Sequence, residues 1–111
     1  MKKMNCVSYL WAKYFRQEVY YVNNENTYML HIYRNNIHIR DEQYDMLGRI
    51  REIEFYNNFG QKTKHKFFDK NENLYELKIL KNGFPVHHKV WNKNGELVTN
   101  WKNTREHLSV L

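Results

Sequence analysis

The fold is decided by the stretch YDMLGRIREIEFYNNFGQK, residues 44–62. An aromatic residue is followed by Asp or Asn, two further residues and Gly, and then by a run that mixes apolar with charged residues. Runs of this kind, bounded by turn-forming residues, are typical of β-strands joined by hairpins. The stretch therefore predicts antiparallel strands at short, regular spacing.

The same unit recurs through residues 21–101. A large aromatic or apolar residue returns at intervals of 12, 11, 12, 12, 12 and 11, at Tyr21, Tyr33, Tyr44, Tyr56, Phe68, Leu80 and Trp91. The 11-residue intervals contain Asn35-Asn36 or Asn82-Gly83, which suit type I′ turns, and the 12-residue intervals suit a turn with a left-handed Gly in a bulge. We therefore predict a mainly β fold, an antiparallel up-and-down meander of about seven strands.

A change of one residue in loop length would by itself reverse which side chains of the next strand point to each face. Because the repeat length changes together with the loop length, we predict that each face keeps its own character along the sheet. One, the predicted inner face, is apolar and includes Phe55, Phe67 and Ile79. The other is charged, and its two rows are Glu52, Lys66, Glu76 and Lys89, and Arg40, Glu54, Lys64, Lys78 and His87. We expect the apolar face to form the core.

The two ends of the chain have weaker patterns. Residues 1–20 contain the apolar stripe Val7, Leu10, Trp11, Tyr14 and Phe15, which predicts an amphipathic helix docked on the inner face. Alternatively, residues 14–22 form an extra strand, and both interpretations hold if the helix ends near Tyr14. Residues 102–111 are expected to be a tail or a short C-terminal helix. The 111 residues fit one domain.

Composition narrows the class of partner. Eighteen Lys and Arg against 12 Asp and Glu give a net charge of +6, which favours acidic partners. The single Cys6 excludes an internal disulfide framework, fits a reducing cytosol and is expected to be a small buried residue rather than a nucleophile. No apolar stretch approaches the ~18 residues of a membrane span. We expect a cytoplasmic protein.

Motifs that carry chemistry are not found. On the predicted register His65 and His88 lie two strands apart, roughly 9–10 Å, which exceeds shared zinc coordination at ~2.1 Å per bond. Asp41 and Arg51 are expected to form a buried ion pair. There is no glycine-rich phosphate loop, HExxH motif or paired-cysteine set. We predict that the protein is not an enzyme and has no catalytic residues, metal site or cofactor.

Lysines interleaved with aromatic residues on a sheet are typical of single-stranded nucleic-acid binding. The candidate binding residues, for a nucleic acid or another partner, are Lys62, Lys64, Lys66, Lys78, Lys89, His87, Tyr33, Tyr44, Tyr56, Phe68 and Trp91. On the predicted register Glu52, Glu54 and Glu76 interrupt this surface. That interruption favours a protein partner over RNA or single-stranded DNA.

Three units resemble a known repeat: YDMLGRI at 44–50, YNNFGQK at 56–62 and WNKNGEL at 91–97. They are similar to MORN-variant repeats, among them those of bacterial "antitoxin component" proteins, and the first is also similar to the YD units of Rhs proteins. The likeness covers residues 21–101. However, Glu25, Ile37 and Glu72 replace the expected Gly, and the usual Gly-Glu pair is absent.

The resemblance implies a binding module rather than an enzyme. We expect an inhibitor that caps a protein effector by occupancy, of the antitoxin or immunity kind or of the phage-encoded anti-defence kind, such as an anti-CRISPR-like inhibitor of a nuclease or nucleoprotein complex. The alternative is RNA or single-stranded DNA binding through the basic, aromatic sheet face. The sequence leaves the oligomeric state open.

Overall fold

The computed structural model describes the backbone of residues 2–6, 15–22 and 27–103 and the side chains of residues 27–103. Its regular structure is one antiparallel sheet in which the spatial order of the strands follows the chain. The strands are β1 (Lys2–Cys6), β2 (Phe15–Val22), β3 (Thr27–Arg34), β4 (Ile37–Asp45), β5 (Ile50–Tyr56), β6 (Lys62–Phe68), β7 (Leu74–Lys81), β8 (Phe84–Trp91) and β9 (Leu97–Lys102). The predicted up-and-down meander is confirmed for the seven strands β3–β9.

The ends of the chain are described only in part. The predicted N-terminal helix falls mainly on residues 7–14 and the predicted C-terminal helix on residues after 103, and both segments lie outside the described residues. The alternative interpretation of residues 14–22 as a strand agrees with β2, which pairs with β1 and β3. Within the described ranges there is no helix of the length and apolar character that a membrane span requires.

The two short turns form as predicted. Asn35 and Asn36 have φ angles of 51° and 64°, and Asn82 and Gly83 have φ angles of 52° and 82°. A type I′ turn requires positive φ at both central residues, a conformation that Asn and Gly tolerate better than other residues. The sequence therefore fixes these two hairpins locally.

The longer turns use the Asp or Asn that follows each aromatic residue. Asn57 Oδ1 accepts hydrogen bonds from the amides of Phe59 and Gln61 at 2.9 and 3.0 Å, and the Gly60 amide donates to the Asn57 carbonyl at 3.0 Å. Gly60 has the predicted left-handed conformation, with φ of 80°. Such a side chain replaces amide partners that the chain loses when it reverses direction.

Each hairpin from β3/β4 to β8/β9 also contains a bulge in its second strand, beyond the turn. These bulges differ from the glycine bulges predicted in the longer turns, and the sequence analysis did not place them. In each one, the second strand carries one extra residue that has no directly opposed partner. These extra residues are Ile39, Arg51, Thr63, Tyr75, Val86 and Val98. The bulges recur at intervals of 11 or 12 residues and are therefore part of the repeat.

The bulges invert the predicted faces in every second strand. Phe55 lies opposite Lys64, and Lys64 lies opposite Ile79, so these three residues share one face. Phe67 lies opposite Glu52 and points to the other face. The prediction that Phe55, Phe67 and Ile79 form one apolar face is wrong, because a slip of one residue exchanges the two faces of a strand.

The sheet has little interior of its own among the described side chains. Ile32 is the only hydrophobic side chain there that is fully buried, with 1% exposed. Apolar residues instead alternate with lysines across neighbouring strands, and the Nζ atoms of Lys64 and Lys66 lie 5.3 and 5.7 Å from the centre of the Phe55 ring. The alkyl stems of lysines can cover apolar surface while the charge remains in water.

Candidate functional site

The observed register separates charge between the two sides of the sheet. One side, here called the basic face, is built from two cross-strand rows: Glu42, Ile53, Lys66, Leu77, Lys89 and Asn100, and Arg40, Phe55, Lys64, Ile79, His87 and Lys102. The other side, the histidine–carboxylate face, has the rows Asp41, Glu54, His65, Lys78, His88 and Trp101, and Gln43, Glu52, Phe67, Glu76, Val90 and Thr99.

The basic face has cations without matching carboxylates. Its one acid in these rows, Glu42, is bound by Arg40 Nε at 2.6 Å and by the Tyr44 hydroxyl at 2.7 Å. Within residues 27–103, Lys64, Lys66 and Lys89 form no ion pair. A surface with charge of one sign attracts ligands of the other sign.

On the histidine–carboxylate face the charges are paired within the molecule. Glu54 contacts Lys62 Nζ at 3.2 Å, Glu52 contacts His65 Nε2 at 2.8 Å, and Glu76 contacts His88 Nε2 at 2.7 Å. Lys78 Nζ lies 3.9 Å from Glu76 and 5.4 Å from the centre of the Phe67 ring. Most charged side chains on this face therefore have a partner of opposite charge on the same face.

The predicted cationic site residues divide between the two faces. Lys64, Lys66, Lys89 and His87 lie together on the basic face, whereas Lys62 and Lys78 lie on the histidine–carboxylate face. The prediction of one lysine face that also holds Glu52, Glu54 and Glu76 is therefore wrong. The bulges at Thr63, Tyr75 and Val86 separate Lys64, Lys66 and Lys89 from the glutamates of β5 and β7.

The predicted aromatic residues lie at strand ends, as expected, but they do not share one face. Strand alternation places Phe68 and Trp91 on the basic face, with Tyr44, which stacks on Tyr28 at 5.4 Å. Tyr33 and Tyr56 lie on the histidine–carboxylate face, with ring centres 5.1 and 4.6 Å from that of His38.

Two tyrosine hydroxyls act as hydrogen-bond donors to carboxylates. Burial raises the pKa of Tyr44 well above its usual value of 10.0, and the hydrogen bond to Glu42 raises it further. The pKa of Tyr56 is raised in the same way by burial and by its hydrogen bond to Glu54. Both side chains therefore stay protonated and serve as positioning groups rather than as bases.

The sequence analysis missed a cluster on the histidine–carboxylate face. His31 and His38 both contact Asp41 Oδ1, and the Tyr56 hydroxyl shares its one proton between Asp41 Oδ2 at 3.0 Å and Glu54 Oε2 at 2.7 Å. The predicted Asp41–Arg51 pair is wrong, because the guanidinium of Arg51 lies 4.0 Å from Asp45 instead. His38 and Asp41 are three residues apart, a spacing that points to opposite faces unless a bulge intervenes.

Comparison with known proteins does not assign this chain to a family. No family model and no curated protein sequence matches this chain.

Proposed function

We propose that this chain is a non-enzymatic binding protein that acts by occupying its partner, and that the basic face is the contact surface. The observation that carries the proposal is the separation of charge: Lys64, Lys66 and Lys89 share a face with apolar side chains, whereas Glu52, Glu54 and Glu76 lie on the other side. A central apolar and aromatic patch with charged side chains around it is suited to binding.

The first partner class is a protein effector with an acidic surface, such as a nuclease whose active-site cleft holds carboxylates. Antitoxins, immunity proteins and anti-CRISPR-like inhibitors block effectors of this kind by occupancy. The resemblance to antitoxin-component repeats supports this class. On the basic face, Phe55 lies beneath two lysine ammonium groups and is suited to anchor the contact, because aromatic side chains within a charged surface are frequent binding hot spots.

The second partner class is single-stranded RNA or DNA, and one specific observation favours it. The glutamates that interrupted the predicted lysine surface lie on the opposite face of the sheet. Lys64, Lys66, Lys89 and Lys102 therefore form a positive field beside Phe55 and His87. Such a field can neutralise phosphates while bases stack on rings.

A matched pair of double variants tests the contact surface. Lys64→Gln/Lys66→Gln removes two charges from the basic face, and Lys62→Gln/Lys78→Gln removes two from the other face. For a single-stranded RNA of about 20 nucleotides, four neutralised phosphates would make binding fall about 50-fold between about 50 and 200 mM salt. The basic-face variant should bind at least about tenfold more weakly than the control variant.

A nuclease assay distinguishes the two partner classes. Purified RNA-guided nucleases and nuclease toxins cut a labelled substrate with and without the protein in excess. Occupancy of the nuclease gives full inhibition once the protein exceeds the nuclease, even while it remains scarcer than the substrate, whereas coating of the substrate gives inhibition only when the protein exceeds the substrate. Equal inhibition and equal RNA binding by the two double variants would contradict the assignment of the basic face.

A further inference from the structure

A bulge brings together three metal-ligating side chains on the histidine–carboxylate face. His31 of β3 lies directly opposite Asp41 of β4, and His38 precedes Asp41 by three residues in the same strand. In a regular strand His38 and Asp41 would point to opposite faces. The extra residue Ile39 reverses this relation, so both side chains reach the same side.

The donor atoms of the three side chains converge on one point. His38 Nε2 lies 2.5 Å from Asp41 Oδ1, and His31 Nδ1 contacts the same oxygen. The three donor atoms all lie within 4.8 Å of one another. A tetrahedral zinc ion with bonds of ~2.0–2.2 Å holds its ligands roughly 3.3 Å apart. Small rotations of the imidazoles would therefore turn this hydrogen-bonded cluster into a coordination shell.

The cluster is sheltered and its members are held in place. The side chains of His31, His38 and Asp41 are 21%, 30% and 11% exposed. The Tyr56 hydroxyl binds Asp41 Oδ2, which leaves Oδ1 toward the imidazoles, and the Tyr56 ring stacks on His38. Partners of this kind, bonded to the ligands rather than to the ion, fix the orientation of ligands in metal sites.

We propose that His31, His38 and Asp41 form a zinc-binding site. Two imidazole nitrogens and one carboxylate oxygen suit zinc better than magnesium or calcium, which prefer oxygen ligands alone. Three protein ligands leave one tetrahedral position for water or for a donor atom of a partner. The site lies on the face opposite Lys64 and Lys66, so it does not rest on the proposed function of the basic face.

A second cluster on the same face provides an internal comparison. Glu52, Glu54 and His65 also have donor atoms within 4.8 Å of one another. This cluster offers only one nitrogen, and Glu54 is already bound by Lys62 and by the Tyr56 hydroxyl. Zinc should therefore select His31, His38 and Asp41.

Calorimetric titration of the full, tag-free chain with zinc chloride tests the site. One ion per chain should bind, and His31→Gln or His38→Gln should weaken binding at least about tenfold, because each removes a ligand. Tyr56→Phe should weaken binding by about tenfold, since it releases Asp41. The matched controls, His65→Gln and His88→Gln, should bind zinc as the unmodified protein does.

A second readout uses the unmodified protein and does not depend on the folding of variants. In ¹⁵N-histidine spectra, zinc should shift the imidazole signals of His31 and His38 and leave those of His65, His87 and His88 in place. The proposal is overturned if the chain binds no zinc, or if the shifts and the loss of affinity fall on His65. RNA binding by the basic face would be unaffected by either result.

Discussion

Glu54 on the histidine–carboxylate face and Phe55 on the basic face are neighbours in one strand with opposite surroundings. Glu54 is contacted by Tyr56, Lys62 and His65. Phe55 lies beneath the ammonium groups of Lys64 and Lys66, which form no ion pair within residues 27–103. Charged side chains on the histidine–carboxylate face thus pair with one another, while the lysines of the basic face present their charge to solvent. Because both faces lie on one layer, stability and binding can be assigned to opposite sides.

The largest loss of stability is expected from the basic face, although the comparison assigns binding to that face. The reason is that the basic face also holds the one fully buried hydrophobic side chain of the described region. Ile32 is 1% exposed and lies opposite Arg40. Ile32→Ala should lower the free energy of unfolding by about 2–5 kcal/mol, since it leaves a cavity. The half-buried Leu77 on the same face is the control, and Leu77→Ala should cost about 1–2 kcal/mol. Urea titration measures both, and equal losses would contradict the special position of Ile32.

Removing single charges compares the two faces directly. Glu54→Gln should lower the free energy of unfolding by about 1–2 kcal/mol, because it weakens the contacts of Tyr56 and Lys62 with an ionised carboxylate. Lys66→Gln should change the free energy of unfolding by no more than about 0.5 kcal/mol, because Lys66 forms no ion pair within residues 27–103 and glutamine is also a long side chain that can cover Phe55. Thermal and urea unfolding report both values. A larger loss for Lys66→Gln than for Glu54→Gln would reverse the roles of the two faces.

The strands and turns could be predicted from the sequence because their signals are local. Asn35-Asn36 and Asn82-Gly83 have the positive φ angles that two-residue turns need, and Gly60 has the left-handed conformation that its turn needs. These residue types tolerate such conformations wherever they occur. The repeat spacing then set the number and order of strands β3–β9.

The faces could not be predicted in the same way, because the bulges have no common residue type. Ile39, Arg51 and Thr63 occupy equivalent places, although one is apolar, one is charged and one is polar. A single unplaced residue reverses the side chains of a whole strand. That is why Lys64 was predicted to lie with Glu54, and why the convergence of His38 with Asp41 was not predicted.

The smallest change in stability is expected from a turn residue that belongs to neither face. Asp45 accepts the amides of Leu47 and Arg49 at 3.0 Å each and binds Arg49 Nε at 2.7 Å. Desolvation raises the pKa of Asp45, but the hydrogen bonds from Arg49 and Leu47 outweigh it and lower the pKa below its ordinary value of 3.8. The ionised carboxylate therefore stabilises the fold above the unfolded-state pKa, and this contribution is lost as pH falls through the folded-state pKa.

Asp45→Asn should keep both amide bonds, as Asn57 does in its own turn, and lose only the interaction with arginine. Its urea midpoint should lie slightly below that of the unmodified protein at neutral pH, and the two should converge near about pH 2. Asp69→Asn is the matched control, because Asp69 accepts the equivalent amides of Asn71 and Asn73 and has no arginine contact within residues 27–103. If both variants show the same convergence with pH, the arginine contact is not its source, and the acid sensitivity of the fold belongs to the carboxylates of the sheet.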